Sequence, residues 1–147
     1  MFERILVPTD GSDLSNKAVS TAARLARALR AKLLLLHVRS PLESPHHVEG
    51  GALTQLGDEI VMEEIENEER KLLDAALAIA AADGTTAETA FVAGYSAPEA
   101  IVRIAQEQDC DLIVMASHGR SGLTGLLLGS ETQEVMTHTT VPVLVVR

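Results

Sequence analysis

The sequence predicts an α/β protein: a three-layer sandwich with a five-stranded, mostly parallel sheet covered by helices on both faces. Three observations predict it. Apolar runs of strand length alternate with segments of helical periodicity, in the order β-α-β-α-β-α-β-α-β. The runs Leu33–Val38 and Leu112–Met115 are nearly continuous rather than alternating in apolarity, the pattern of strands buried on both faces. The 147 residues, without an internal repeat, suit one domain spanning 1–147 around one sizeable core.

The elements follow in order. Ile5 to Val7, with Phe2 beside them, make a short first strand that Pro8 ends. Thr9, Asp10 and Gly11 form the turn. Ser12 or Asp13 then caps a helix whose Ala18, Ala22, Leu25, Ala26 and Leu29 recur at helical spacing. Leu33 to Val38 is the second strand, its apolar run interrupted only by His37. Pro41, Pro45, His46, His47, Gly50 and Gly51 make Ser40–Gly51 a loop. A long helix runs from Leu56 to Ala82 with Val61, Ile65, Leu72, Ala76 and Ile79 on one face. Its glutamates, Glu59, Glu63, Glu64, Glu66, Glu68 and Glu69, read as a solvated face, because no histidine stands at a matching spacing.

Asp83 and Gly84 stop that helix, and Thr85–Val92 is the third strand. After Gly94 and Tyr95, Ser96 and Glu99 stand at capping-box spacing with Pro98 in the first turn. The helix continues through Ala100, Ile101, Ile104 and Ala105, and Asp109–Asp111 turns the chain into the fourth strand, Leu112–Met115. Ser130 and Gln133 repeat the capping-box spacing before a short helix to His138. Val141–Val146 is the last strand, which Pro142 marks as an edge.

Composition excludes several functions. A formal charge of −9 opposes a nucleic-acid partner, whose phosphates require a basic footprint, but not a small nucleotide held in a local pocket. Phe2, Phe91 and Tyr95 are the whole aromatic set, which argues against a base-stacking platform for single-stranded nucleic acid. No apolar run reaches membrane-spanning length, which gives the expectation of no membrane partner. The lone Cys110 forms no disulfide within the chain and lacks an evident activator. The start MFERILVPTDG reads as a strand rather than a leader, and with the single cysteine it gives the expectation of a cytoplasmic protein.

The most informative stretch is DCDLIVMASHGRSGLTGLLLGS, Asp109 to Ser130. A buried strand empties into small residues and glycines and then into a helix start. Backbone N–H groups can approach an anion there because no side chain blocks them. Neither G-x-G-x-x-G nor the lysine-bearing phosphate loop is present, so backbone groups, hydroxyls and Arg120 would carry a phosphate. In a parallel sheet, ligands sit beyond the strand C-termini, where Pro8–Gly11, Val38–Ser40 and Ala116–Ser130 converge. Asp10 is the best-placed acid: it suits ribose hydroxyls, a divalent ion beside phosphates, or its own turn. Val38 offers backbone groups to a base edge, or is core. Ser117, Gly119, Gly129 and Ser130 are the phosphate candidates, with Ser130 read as a helix N-cap. His118 sits in the same loop, and no Ser-His-Asp arrangement can be assigned.

The segments RILVPTDGS, LLLLHV and VMASHGRSGLTGLLLGSETQEVMTHTTVPVLVV together resemble the universal stress protein family across essentially the whole chain. That resemblance implies an adenine nucleotide-binding type of fold with strand order 3-2-1-4-5. It also implies a homodimer in which the last strands pair, here through Val141–Val146. One branch of the family binds ATP through a glycine, two residues, a glycine, nine residues, then glycine with serine or threonine. Gly119, the nine residues Arg120–Leu128, Gly129 and Ser130 fit, whereas Ala116 stands at the first glycine. A negative φ at Ala116 accommodates the extra methyl; a positive φ does not.

By resemblance, then, adenine lies near Pro8, Thr9 and Val38, and Asp10 holds ribose. Residues Ala116, Ser117, His118, Gly119, Arg120, Gly129 and Ser130 surround the phosphates. ATP is the expected ligand, with Mg²⁺ as a companion whose protein ligands the sequence does not place. The functional expectation is an ATP-binding stress-response regulator, a dimeric nucleotide-dependent switch with no turnover or slow hydrolysis. The alternatives are a signalling or scaffold dimer without nucleotide and, more weakly, a small adenine-nucleotide-dependent enzyme.

Overall fold

The computed structural model describes residues 1–41, 55–119 and 128–147, excepting the side chains of 55–58. The elements are β1 (Arg4–Pro8), α1 (Asp13–Leu29), β2 (Lys32–Arg39), α2 (Gln55–Ala82), β3 (Glu88–Ala93), α3 (Ala97–Glu107), β4 (Leu112–Ala116), α4 (Ser130–His138) and β5 (Val143–Val146). The five strands form one sheet in the order β3-β2-β1-β4-β5, and every pairing is parallel. The architecture is the expected three-layer sandwich.

The continuous apolar runs are explained by two half-cores. Ile5, Val7, Leu33, Leu35, Leu112 and Val114 point to the face covered by α1 and α2, where Ala18, Ala22, Ala26, Ala76 and Ala80 meet them. Leu6, Leu34, Leu36, Ile113 and Met115 point the other way, onto Ile101 and Ile104 of α3 and Val135 of α4. Successive strand residues alternate faces, so a strand covered on both sides must be apolar at every position. The α1 contact face is alanine-rich, which lets the helix backbone lie close to the sheet.

Local boundaries differ from the sequence reading where hydrogen bonds compete. Thr85 does not open β3: its N–H bonds the Ala80 carbonyl at 3.0 Å and its hydroxyl bonds the Ala23 carbonyl at 2.8 Å. Residues 85–87 therefore complete the exit from α2, and the ladder begins at Leu34↔Glu88. The last strand starts at Val143 rather than Val141, because Pro142 lacks an N–H and contributes only its carbonyl, to Ile113 N–H at 2.9 Å. It is an edge strand, as expected. Ser12 is the α1 cap, its hydroxyl accepting from Ser15 N–H. Ser96 caps α3 by position only; no side-chain cap bond forms, and its hydroxyl lies 3.5 Å from Glu99 Oε2 instead. The Ser40–Gly51 loop beyond Pro41, with His46 and His47, lies outside the described residues.

Ala22 is fully buried between α1 and the sheet. Ala22→Leu inserts three carbons where no space exists and should cost about 1–3 kcal/mol of stability. The check is a lowered urea midpoint at unchanged slope.

Candidate functional site at the C-terminal edge of the sheet

β1 leaves the sheet at Thr9, whose N–H makes the last rung to β2 by bonding the Leu36 carbonyl at 2.8 Å. The Thr9 side chain turns inward: Oγ1 lies 3.1 Å from Ser15 Oγ and receives the Gly11 N–H at 3.3 Å. Gly11 then reverses the chain with φ 77°, a conformation that side chains resist. Asp10 Oδ1 accepts the Ser12 N–H at 3.0 Å, so the turn role holds for one carboxylate oxygen.

The other oxygen faces the loop after β4. A Cβ built on Gly119 would stand 2.7 Å from Asp10 Oδ2, closer than real contacts allow. Glycine at 119 is what lets the acid of the first loop and the backbone of the fourth lie side by side. Ala116 ends β4 and is not among the residues with positive φ, which among the described non-glycines are Arg30 and Asp109. The departure from glycine at 116 therefore carries no backbone strain.

Beyond Ala116 the loop is fastened on several sides. Ser117 N–H bonds the Val146 carbonyl at 2.8 Å, and the Ser117 carbonyl accepts the Gly129 N–H at 2.7 Å. The buried Thr132 hydroxyl lies 3.0 Å from the Ala116 carbonyl and 3.2 Å from the Ser117 carbonyl. Gly129 packs against this segment: an added Cβ would meet Ser117 O at 3.1 Å, His118 Cα at 3.2 Å and His118 Cβ at 3.3 Å. Ser117 Oγ and His118 Nδ1 are 3.2 Å apart.

Ser130 is not the N-cap of α4. Gly129 holds that position, with extended φ −60° and ψ 154°, and its carbonyl accepts Gln133 N–H. Ser130 is the first helical residue and its side chain is exposed. The Gln133 side chain reaches back to the Leu128 carbonyl at 2.7 Å rather than closing a capping box on Ser130. Ser130 thus contributes an exposed hydroxyl beside the α4 N-terminus, where helix N–H groups lack intrahelical partners.

Val38 lies at the other side of the β1 exit. The Leu36 carbonyl points to β1 and the Arg39 carbonyl points to β3, where it accepts Gly94 N–H. By strand alternation the Val38 amide and carbonyl point toward β1, just past the end of its ladder at Pro8↔Leu36. The side chain packs against the α3 and α4 half-core. Pro8, Thr9, Asp10, Val38, Ala116, Ser117, His118 and Gly119 therefore belong to loops or strand ends at one edge of the sheet, with Gly129 and Ser130 at the N-terminus of α4 beside them. Arg120 lies outside the described residues.

A polar cluster that the sequence reading missed adjoins this edge. His37 is buried; its Nδ1 is 2.8 Å from the Thr9 carbonyl and its Nε2 is 2.5 Å from Glu69 Oε2. Glu69 Oε1 accepts from Arg39 Nε–H at 3.0 Å and lies 2.9 Å from the Nη2 of the same guanidinium. Phe91 stacks along His37 and takes the Arg39 guanidinium over its face, 5.2 Å from the ring centroid. Glu69 is thus no solvated-face glutamate: its partners come from β2, which helix-internal spacing cannot reveal. The available signal was His37 itself, the one polar residue in the otherwise apolar run Leu33–Val38. Cys110 is buried, and desolvation pushes its thiol pKa up, so it remains a protonated, unreactive thiol at neutral pH. Among the described residues no cluster of three metal-ligating side chains forms.

Fold and site together define a Rossmann-like α/β protein whose candidate site sits where the strand order turns back on itself, between β1 and β4. The universal stress protein family model matches residues 1–147, and the chain belongs to that family. It is 38% identical over 151 residues to the universal stress protein YxiE of Bacillus subtilis, covering 100% of both chains. It is 32% identical over 156 residues to the universal stress protein MJ0577 of Methanocaldococcus jannaschii, covering 100% of this chain and 96% of that one. The solved structure of MJ0577 superposes with a TM-score of 0.78 over 99% of this chain and 96% of that one. A universal stress protein in complex with cAMP superposes with a TM-score of 0.67 at 28% identity, over 99% and 97% of the two chains.

Thr132→Val preserves shape but leaves two buried carbonyl contacts unmade. It should cost about 1–2 kcal/mol and loosen the 117–118 segment. Urea unfolding measures the first effect, and faster amide exchange at Ser117 and Gly129 the second.

Proposed function

We propose that the chain binds an adenine nucleotide across the β1–β4 edge, with ATP as the ligand and Mg²⁺ as its companion, and acts as a nucleotide-dependent regulatory dimer. The observation that carries this reading is the contact of Asp10 with Gly119, backed by the packing of Gly129 on Ser117 and His118. Two glycines stand where an added Cβ would be crowded, one against a carboxylate and one against backbone. Such a cradle lets an anion approach the backbone, although the Ser117 and Gly129 N–H groups are themselves bonded to carbonyls. The α4 N-terminus with Ser130 adds N–H groups that have no partner within the helix. The Val38 backbone supplies a donor and acceptor for a base edge. Asp10 Oδ2 is placed to accept from ribose hydroxyls. A cAMP complex within the family supports the nucleotide class.

Nothing among the described residues supplies a phosphate-loop lysine or a placed base for water, so binding rather than turnover is the activity these residues support. The dimer would form through β5, an edge strand whose Leu144 is 40% exposed. The cytoplasm is the compartment this reading implies.

Fluorescent-ATP titration or calorimetry on nucleotide-stripped protein should give saturable binding, and its absence at millimolar ligand would sink the reading. Gly129→Val should fold normally by circular dichroism yet bind at least roughly tenfold more weakly, as a loss of about 1.4 kcal/mol implies. Leu144→Lys places a charge on the β5 edge and should convert the dimer to monomer in sedimentation equilibrium. A wild-type monomer would exclude the β5 dimer.

A further inference from the structure

We propose that the pocket at the N-terminal edge of the sheet, between the end of α1 and the turn from α2 into β3, binds a small multivalent phosphate through Arg27, Arg30 and Lys32. It lies at the opposite edge from the candidate nucleotide site and shares no residue with it.

The walls of this pocket are tied together. The Thr85 hydroxyl bonds the Ala23 carbonyl at 2.8 Å and its N–H bonds the Ala80 carbonyl at 3.0 Å, which fastens the turn after α2 to α1. Gly84, at φ 77°, lies against Arg27: an added Cβ would stand 3.2 Å from Arg27 Nη1 and 3.4 Å from its Cδ. One guanidinium is thereby set against the turn. Between these segments, with Lys32 and Glu88 at the strand starts, lies a concavity of about 400 Å³.

Three cations line it in a chain of formal charge −9. Among the described residues none of the three forms an ion pair or a side-chain hydrogen bond. The one acid in the lining, Glu88, is engaged by Arg4 at 2.6 Å. Asp83, the acid of the neighbouring turn, accepts the Ser20 hydroxyl at 2.6 Å. The last-turn position of Arg27 suits the negative end of the α1 dipole. The carbonyls at that end are already capped, since the Arg30 and Ala31 N–H groups bond the Arg27 and Ala26 carbonyls at 3.4 and 2.9 Å. The dipole accounts for one cation, not for three.

Arg30 adds an observation independent of charge. It follows α1 with φ 58° and ψ 33°, the left-handed conformation that glycine adopts readily and other residues resist. An arginine there costs stability that glycine would not, and no acid among the described residues offsets the cost. Strain held at a residue lining a pocket is a mark of function. Two guanidinium groups with an ammonium suit phosphate oxygens, which accept directed bonds from each. The concavity has the volume of a small-molecule site. An extended polyanion is disfavoured, because the acidic chain around the pocket repels it.

Inorganic pyrophosphate and a sugar bisphosphate are the two probes, each followed at physiological salt by calorimetry and by backbone amide shifts. Binding should move the amides of Arg30, Lys32, Thr86 and Glu88 in one saturable titration, and the tighter probe tells whether the ligand is inorganic or an ester. Arg30→Gly should weaken that binding roughly tenfold while the urea midpoint stays at or above that of the wild type. Lys32→Gln should weaken it comparably. Arg24→Gln removes an exposed α1 charge outside the pocket and should change the affinity less than about twofold.

No movement of these amides at millimolar concentrations of either probe would overturn the proposal, as would shifts confined to Gly119 and Gly129 at the opposite edge. Equal weakening by Arg24→Gln and Arg30→Gly would reduce the effect to net charge and overturn it too. A urea midpoint lowered by Arg30→Gly would make Arg30 structural and overturn its role as a strained ligand residue. Duplex DNA that moves the same amides as tightly as either probe would overturn the assignment of a small ligand.

Discussion

The point at which β1 stops pairing governs the upper edge of this molecule. A parallel sheet leaves backbone donors and acceptors at the C-terminal ends of its strands, and each must find a partner or face solvent. Here the last β1–β2 rung is Thr9 N–H to Leu36, and the carbonyl of the same residue turns onto His37. The chain reverses at Gly11 and sets Asp10 against Gly119. The Ser117 bonds to Val146 and Gly129, and the Thr132 hydroxyl, hold the opposing loop at the required height.

The same edge joins two different kinds of packing. Beneath it lies an apolar sandwich in which close approach is bought by small residues, the alanines of α1. Beside it lies the Arg39–Glu69–His37 group, taken largely out of water. Desolvation of such a group is costly, and it is tolerated when each charge is matched by directed hydrogen bonds. Glu69 Oε1 accepts from Arg39, whereas Oε2 lies beside His37 Nε2 without receiving a hydrogen bond, and Phe91 packs against both His37 and Arg39. Removing Arg39 or Glu69 would leave the other's charge buried, so the pair ties α2 to β2.

Much of this architecture was legible because it depends on local periodicity. Continuous apolarity in Leu33–Val38 and Leu112–Met115 reports burial on both faces, and the alternation of element types reports parallel pairing. The glycines at 119 and 129 were legible as candidates, though sequence alone does not show what each approaches. What escaped depends on partners far along the chain. Glu69 looked like one of many helical glutamates, because its partners on β2 lie 30 and 32 residues earlier. Ser130 looked like a cap, but Gly129 adopts the extended conformation and its carbonyl opens the helix. Thr85 looked like strand, until its bonds to Ala80 and Ala23 assign it to the helix exit. In each case a specific long-range or backbone bond overrode a residue preference.

The placement of the first strand has a consequence for how the chain is made. β1 lies in the middle of the sheet, between β2 and β4. The β1 start is also tied to Asp111, which accepts the Glu3 and Arg4 N–H groups across sequence separations of 108 and 107 residues. One side of β1 therefore waits for a partner that lies more than a hundred residues further along the chain. Loop closure of that length precedes any reward from the β1–β4 contact, which places this step late in folding and makes it slow. Until then one edge of an apolar central strand is open to pairing with other chains.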